Sequence, residues 1–591
     1  MKVLVVNLLR LGDVISMASA LKALRLQTEQ SAGAANEPTE IHLLVNRGVE
    51  SVQEILPGID RVHIFERNRL QSSLVDANRP MFEAYDVLED LVESLSQEKF
   101  DAIYNFTHNR LSGWLTGLIP ATKKVGLTMD GTGGVSFGSA WFRHLNQQVD
   151  FEEEQSFHHS DVFFAAAGGL ALQRERRFQE AHILDGVLRE TPAGQRRALE
   201  VLKDTGFDPA QGGALIALQI STSDIKKEWG DEKYRELVLH LIASHPGHRV
   251  LILGAPNEAM RIRDFIENFD NHGRVKEQIH AAIVSLPTVV SLLEVCQLVI
   301  TGDTSIKHIG SASSATVFEI AAGSADPFRT GPWKHGDFVI ASREACRPCG
   351  HSEKCHRETH ACSDTLPAVE VARLVEALLS GRDELARRAA RVSAFDIYQV
   401  DRSEGMAQLN SMNSRSHNEL AMDRDVALSV ERSARRLVLE SRDGRWDRMT
   451  MGTETRLAFS ALLSKFPTTS KVDLRHLLGG GETYLRHAEG LVRSLRIQLD
   501  RVKESIQDPK RVHELVSSVA VMRSRLGKNP WTMFAIEPLM SVLEDDRSAP
   551  FTRYRRLADT IADLENRIEM ALKLIRGIDA ELMTEDSKEL R

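Results

Sequence analysis

Residues 2–26 read KVLVVNLLRLGDVISMASALKALRL. The run KVLVVNLL, residues 2–9, is apolar and rich in Val and Leu, which predicts a strand buried on both faces. The turn RLGD follows, and VISMASALKALRL then has the spacing of an amphipathic helix. Apolar run, glycine turn, helix is the opening of an α/β unit. The start MKVLVVNLL also has the look of a signal peptide. Arg10 and Asp13 interrupt it and no small-residue cleavage site follows, so it is read as a strand.

Working outward, similar runs recur at EIHLLVN, RVHIFE, FDAIYNFT and KKVGLT, with helical stretches between several of them. Turn residues break the pattern near residues 186–213, and a second series begins: ALIALQIS, HRVLILGAP, QLVITGD and SATVFEIAAG. Two such halves joined by a hinge predict an enzyme with a cleft between them. From about residue 381 the strand pattern disappears. GETYLRHAEGLVRSLRIQLDRVKESI and FTRYRRLADTIADLENRIEMALKLIRGIDAELM have helical spacing, which predicts a bundle or short coiled coils. The expected organisation is an acceptor domain over 1–190 and a donor domain over 191–380. A linker over 381–415 and a helical domain over 416–591 follow. Within the helical part, LGGGET (478–483) reads as a glycine turn before a helix.

Composition excludes several classes. A chain of 591 residues with 42% hydrophobic and 27% charged residues can bury large cores, so wholesale disorder is excluded. A formal charge of −9 argues against a nucleic-acid coat, and no nucleic-acid partner is expected. No stretch approaches 18 uninterrupted apolar residues, so no membrane span is expected and a cytoplasmic location is. Arg-rich stretches such as ERSARRLVLESRDGRWDR admit two readings, solvated helix faces or a peripheral contact with anionic lipid of the inner membrane. The helical region likewise admits packing within the chain or a homo-oligomer.

Chemistry is expected at strand ends, because ligands of open α/β sheets bind beyond the carboxyl ends of the strands. After ALIALQIS come Thr222 and Ser223, with hydroxyls, and Lys227, whose ammonium could meet a phosphate. Trp229 follows at a spacing that can anchor the loop. After HRVLILG, Glu258 can accept from ribose hydroxyls, with a helix-start charge as the alternative. After QLVITG come Asp303 and Thr304, with His308 one turn into a helix; for Thr304 a simple cap and for His308 a structural role are the alternatives. Together they suggest a nucleotide diphosphate, and no GxxxxGK[ST] loop occurs. In the first half, Gly12 and Asp13 follow the first strand. Asp13 is either a helix cap or a general base taking a proton from an acceptor hydroxyl. NFTHNRLSGWLTG and GLTMDGTGGVSFG are expected on the acceptor side, with His108 and Arg110 as acceptor contacts.

NLLRLGDVISMASALKAL, TSDIKKEW, LGAPNE and GDTSIKH followed by ADPFRTGPW resemble glycosyltransferase family 9, the ADP-heptose:lipopolysaccharide heptosyltransferases and their relatives, over roughly residues 1–375. The resemblance implies the GT-B fold, two Rossmann-like domains facing a cleft, here followed by an all-α region. It implies inverting transfer of a heptose from an ADP-sugar to a lipopolysaccharide core or protein hydroxyl, without a catalytic divalent cation. It gives Asp13 the role of base and Lys227 that of stabilising the leaving diphosphate. Gly12, Thr222, Ser223, Glu258, Asp303, Thr304 and His308 fall on the donor side. The chain departs from the family at Ser305, where glycine is usual, and at Ala322-Gly323-Ser324-Ala325, where Phe-Gly-Pro-Thr is usual. A second reading is a non-catalytic sugar-nucleotide-binding or scaffold protein whose helical region recruits partners.

The five cysteines all fall between 296 and 362. Cys346, Cys349, Cys355 and Cys362 read C-x2-C-x5-C-x6-C, a spacing that could close a structural zinc or iron site, with disulfides or free thiols as the alternative. His351, His356 and His360 are spare candidates, and Cys296 is expected in the core.

Overall fold

The first sheet is built around β1 (Lys2–Asn7), whose residues beyond Lys2 are all buried. β2 (Glu40–Asn46), β3 (Arg61–Phe65), β4 (Phe100–Asn105) and β5 (Ala121–Gly126) complete it in the order β3-β2-β1-β4-β5, all parallel. A small hairpin, β6 (Thr128–Met129) with β7 (Val135–Ser136), follows. This computed structural model describes residues 1–32, 39–75, 82–147, 157–175, 188–350, 354–355, 360–402, 406–413, 430, 432–440, 471–503 and 550–589.

The second sheet has eight strands. β8 (Leu215–Leu218), β9 (Arg249–Gly254), β10 (Ile279–Ile283), β11 (Leu298–Thr301), β12 (Thr316–Ala321) and β13 (Phe338–Ser342) are parallel, in the order β10-β9-β8-β11-β12-β13. Both sheets thus have the doubly wound order, with a topological switch point between β1 and β4 in one and between β8 and β11 in the other. β8 and β11, LIAL and LVIT, are fully buried, as strands covered on both faces must be.

The stretch 381–415 is not a linker. It holds the helix Arg382–Ala389, β14 (Phe395–Asp401) and β15 (Gln408–Ser411), and the two strands extend the second sheet antiparallel from β13. Phe395, Ile397 and Val400 are buried, while the half-exposed Asp396, Tyr398 and Gln399 dilute the apolar signal that the sequence carries.

The two α/β halves form one unit, Met1–Leu145 with Phe157–Ser414. The helix His159–Ala166 packs on the helix Ala18–Ala32 of the first half. Its Asp161 accepts from the guanidinium of Arg402 at 2.9 Å and from the backbone N–H of Ala407 at 2.7 Å. His158, at the cap, donates from Nε2 to the Gly331 carbonyl at 2.8 Å and accepts on Nδ1 from Ser160 N–H.

The other unit, Asn146–Ser156 with Arg415–Arg591, contains the helices Lys471–Lys503 and Pro550–Glu589. They run antiparallel, since Arg475 pairs with Asp579 and Arg496 with Glu565, both at 2.7 Å. Their buried residues repeat at alternating three- and four-residue steps, Leu485, Ala488, Val492, Leu495 and Ile561, Leu564, Ile568, Ala571, Ile575, Ile578. That is a coiled-coil seam. LGGGET lies inside the first of these helices rather than in a turn before it, because the seam residues Leu478 and Leu485 flank it and tertiary packing overrides glycine propensity. Among the described residues no helix is long and apolar enough to cross a membrane.

Candidate active site between the two sheets

Both switch points open toward the same place. The helix Leu11–Ile15 after β1 packs against the helix Ser305–Ser311 after β11. The contact is close because Gly12 has no side chain: a Cβ there would lie 2.8 Å from Cδ2 and 3.2 Å from Nε2 of His308. Nearby, the Arg10 guanidinium reaches the hydroxyl of Ser223 at 3.5 Å. Residues from β1, β8 and β11 therefore meet at the carboxyl edges of their sheets.

Asp13 caps its own helix start, one oxygen accepting from the Arg10 N–H at 3.2 Å. Burial pushes its carboxyl above the ordinary range, against that hydrogen bond and the charge of Lys227, and Asp303 adds to the rise. Of the two readings of Asp13, the helix cap is the one seen in these contacts. Opposite it lies a buried chain of charges. Asp303 pairs with Lys227 through one oxygen and with Lys307 through the other, at 2.5 Å for Lys307. Lys307 also pairs with Glu319 at 3.0 Å. Burial opposes the charge on Asp303, but Lys307 and Lys227 outweigh it and hold the carboxyl well below its ordinary range. Burial pushes Glu319 up to about 6, and one of its oxygens has no partner among the described residues. No local pattern marks Lys307 and Glu319 in the sequence, because nothing but the register of β12 against the helix brings them to Asp303.

The remaining predicted residues are placed as follows. Thr222 donates to the Asp224 carbonyl at 2.7 Å, which shapes the loop that carries Lys227. Trp229 anchors that loop, buried, with its indole donating to the Leu366 carbonyl at 2.8 Å. Thr304 caps the helix, accepting from Ile306 N–H at 3.2 Å, and bonds the Thr301 hydroxyl at 2.9 Å. Glu258 accepts from Ala255 N–H at 2.8 Å and from the Gln219 amide at 3.5 Å. His308 is buried, and burial, then the charge of Lys307, holds it neutral. Its Nδ1 has no partner among the described residues, like Gln219 Oε1, Ser221 Oγ and Ser324 Oγ at neighbouring strand ends. Unpaired buried polar atoms at strand ends are what a polar ligand would satisfy.

In the first half, both ring nitrogens of His108 are buried and unpartnered among the described residues. Its ring stacks on Phe163 at 5.9 Å and sits 6.1 Å from His159. Burial brings His108 down to about 4, so it is neutral. His159 is also neutral, by burial and by the neighbouring His108, and both Arg329 and His308 lie within electrostatic reach of it. Sequence reasoning missed His159, which comes to the site only through the packing of its helix. Arg110 is exposed at the start of its helix and makes none of these contacts.

The cysteine loop rests on the same edge. Gly323, at φ 58°, follows β12, and a Cβ on it would lie 2.0 Å from the Lys226 carbonyl. Its N–H donates to Cys362 Sγ at 3.3 Å and its carbonyl accepts from Cys349 N–H at 3.2 Å. Lys226 donates to the Gly350 carbonyl at 3.0 Å, and His360 donates from Nε2 to the Lys226 carbonyl at 2.7 Å. Four thiols in one short loop suit a thiophilic ion, and burial, Cys346 and Cys362 push the Cys349 thiol up from its ordinary value. His351 and His356 lie outside the described residues. Cys296 is buried away from this loop, its thiol pushed up to about 12.

Residues 88–360 match the model of glycosyltransferase family 9 (heptosyltransferase). Over these residues the chain is similar to glycosyltransferase family 9. The match takes in Lys227, Asp303 and His308, while Gly12 and Asp13 precede it. Similar solved structures include a glycosyl transferase family 9 protein from Veillonella parvula, 17% identical, covering 57% of this chain and 86% of that one with a TM-score of 0.42. E. coli ADP-heptose lps heptosyltransferase II is 15% identical and covers 64% of this chain and 99% of its own, with a TM-score of 0.44. E. coli heptosyltransferase WaaC with ADP is 19% identical over the same shares, with a TM-score of 0.39. No curated protein matches the chain. The two doubly wound sheets followed by helices are the GT-B arrangement expected of a family 9 glycosyltransferase.

Proposed function

We propose that the chain is an inverting glycosyltransferase that moves a heptose from an ADP-sugar to a hydroxyl of a lipopolysaccharide core or a protein. The observation that carries this reading is the meeting of Asp13, its carboxyl raised by burial, with the Lys227–Asp303 pair of the other half. In this reading Asp13 removes the proton of the acceptor hydroxyl. That oxygen forms a bond to the anomeric carbon as the bond from that carbon to the diphosphate oxygen breaks. ADP leaves with the electron pair, and configuration inverts. Lys227 stabilises the charge developing on the diphosphate, and Asp303 holds Lys227 in place. Thr222, Ser223 and Thr304 offer hydroxyls to the diphosphate and Glu258 faces the ribose, while His308 and Gly12 close the donor side. His108 orients the acceptor as a neutral hydrogen-bonding group. Cys346, Cys349, Cys355 and Cys362 would hold a zinc or iron ion that stiffens the loop at Gly323 and Lys226 and supplies no step of the transfer.

The test is ADP release from ADP-heptose with a heptose-accepting lipid core, alongside calorimetry with ADP. Transfer by the wild type, lost in Asp13→Asn with ADP binding retained, is the expected result. Wild-type protein that binds ADP yet releases none with any acceptor, indistinguishably from Asp13→Asn, overturns the reading in favour of a nucleotide-binding scaffold.

A further inference from the structure

In β2 and the edge strand β3 of the first sheet, two histidines face each other. His42 in β2 stands beside Leu4 of β1 and Arg61 of β3, and Leu44 stands beside His63. Side chains two apart share a sheet face, so His42 and His63 lie on the same one. His42 Nδ1 is 3.0 Å from His63 Nε2. Glu98, which follows the helix Phe82–Gln97, reaches the same point. One nitrogen of each ring and one Glu98 oxygen all lie within 4.8 Å of one another. Among the described residues no other group of three or more such ligand atoms is this close.

Two features go beyond proximity. His42 Nδ1 and His63 Nε2 share a hydrogen bond at 3.0 Å, a little shorter than the edge of roughly 3.3 Å between two ligands each about 2.0–2.1 Å from a tetrahedral zinc ion. The outer nitrogen of His42, Nε2, lies 3.4 Å from Glu40 Oε2. A carboxylate on the far nitrogen of a ligating histidine fixes its tautomer and strengthens it as a donor. Phe100 meets the His42 ring edge-on at 5.3 Å and limits its rotation. Lys2 pairs with Glu98 at 2.9 Å and with Glu40 at 3.6 Å, and Arg61 also pairs with Glu98. An arriving ion would take one Glu98 oxygen from one of these cations.

We propose that His42, His63 and Glu98 form a divalent transition-metal site of the zinc class, with Glu40 as its outer carboxylate. Imidazole and carboxylate donors select zinc or a late first-row ion over calcium and magnesium. The site ties the end of the helix Phe82–Gln97 to β2 and the edge strand β3, and it includes none of the residues assigned to the transfer, so its role is structural.

The full chain with Cys346→Ser and Cys349→Ser, which disarms the cysteine loop, is titrated with cobalt(II) and, separately, melted with zinc(II) or EDTA. The expected result is one bound cobalt with visible d–d bands and no sulfur charge-transfer band, and a Tm raised by zinc. His63→Gln keeps the size and polarity of the edge position; it should melt like its parent in EDTA and lose both signals. Glu98→Gln should weaken cobalt binding at least about tenfold. Absence of cobalt uptake by the cysteine-disarmed parent, or uptake and zinc stabilisation that survive His63→Gln, overturns the site.

Discussion

The imidazole of His308 lies against the backbone of Gly12, close enough that a Cβ on Gly12 would stand 2.8 Å from its ring. This contact sets the distance between the switch points of the two sheets, and with it the distance from Asp13 to the Lys227–Asp303 pair. Gly12→Ala must move either the ring or the helix. Overpacking of this kind costs about 1–3 kcal/mol. Transfer activity should fall more than ten-fold while the protein stays folded, as read by kcat/KM and by Tm. Wild-type activity in Gly12→Ala would show that the halves are not set by this contact.

Asp13 should leave two pH signatures. As a base it works only when ionised, and its folded pKa is raised, so kcat/KM should fall as pH drops through a value above the ordinary carboxylate range near about 4. The linkage has the matching sign. A raised carboxyl binds its proton more tightly folded than unfolded, so it lowers stability as pH rises past its unfolded value. Asp13→Asn should therefore melt at or above the wild-type temperature at pH 7, and the gain should vanish below about pH 4. Denaturation curves of both proteins across this window check it.

The buried histidines predict the opposite slope. His108 and His158 are brought down to about 4 by burial, so folding keeps them neutral while the unfolded chain titrates near about 6.5. Their contribution is complete above the unfolded value and is lost as pH falls toward 4. His108→Phe fills the same aromatic nest without two unpaired nitrogens. It should remove part of the acid sensitivity and hold or raise stability at pH 7, while the acceptor KM rises. An unchanged acceptor KM would remove His108 from the acceptor side.

Lys307 compensates both Asp303 and Glu319. Lys307→Met leaves the buried Glu319 without a cation and Asp303 with Lys227 alone, and should destabilise by about 3–5 kcal/mol. Adding Glu319→Leu removes the stranded carboxylate and should recover much of the loss, because a buried pair replaced by apolar groups of similar volume is near neutral. A double variant no more stable than the single one would show that the pair is not the unit.

Glycine has opposite meanings in the two units. At Gly479 and Gly480 a Cβ would meet nothing within 4 Å, and both lie exposed within a helix. Replacing each by Ala should stabilise the helical unit by up to about 1 kcal/mol. At Gly323 the same change meets the Lys226 carbonyl at 2.0 Å with φ at 58°, and should destabilise the loop and loosen the cysteine segment. Thermal melts of the three variants compare them directly.

The residues that lie next to one another in sequence were legible without the structure. KVLVVNLL read as a doubly covered strand, because an apolar run followed by a glycine turn leaves no exposed face, and β1 is buried beyond Lys2. Asp13, Lys227, Asp303 and His308 were singled out the same way, as polar residues beyond such runs. Sequence patterning also announced the helical C-terminal region, since its apolar spacing is local. The rest depends on pairs far apart in the chain. β14 and β15 join the sheet because β13 offers an edge, which no local pattern reports. Glu319 meets Lys307 across a strand and a helix, His159 reaches His108 through helix packing, and His42 meets His63 through strand register. In each case the interaction energy comes from a neighbour that sequence distance hides, so only the folded chain shows which polar residues share a site.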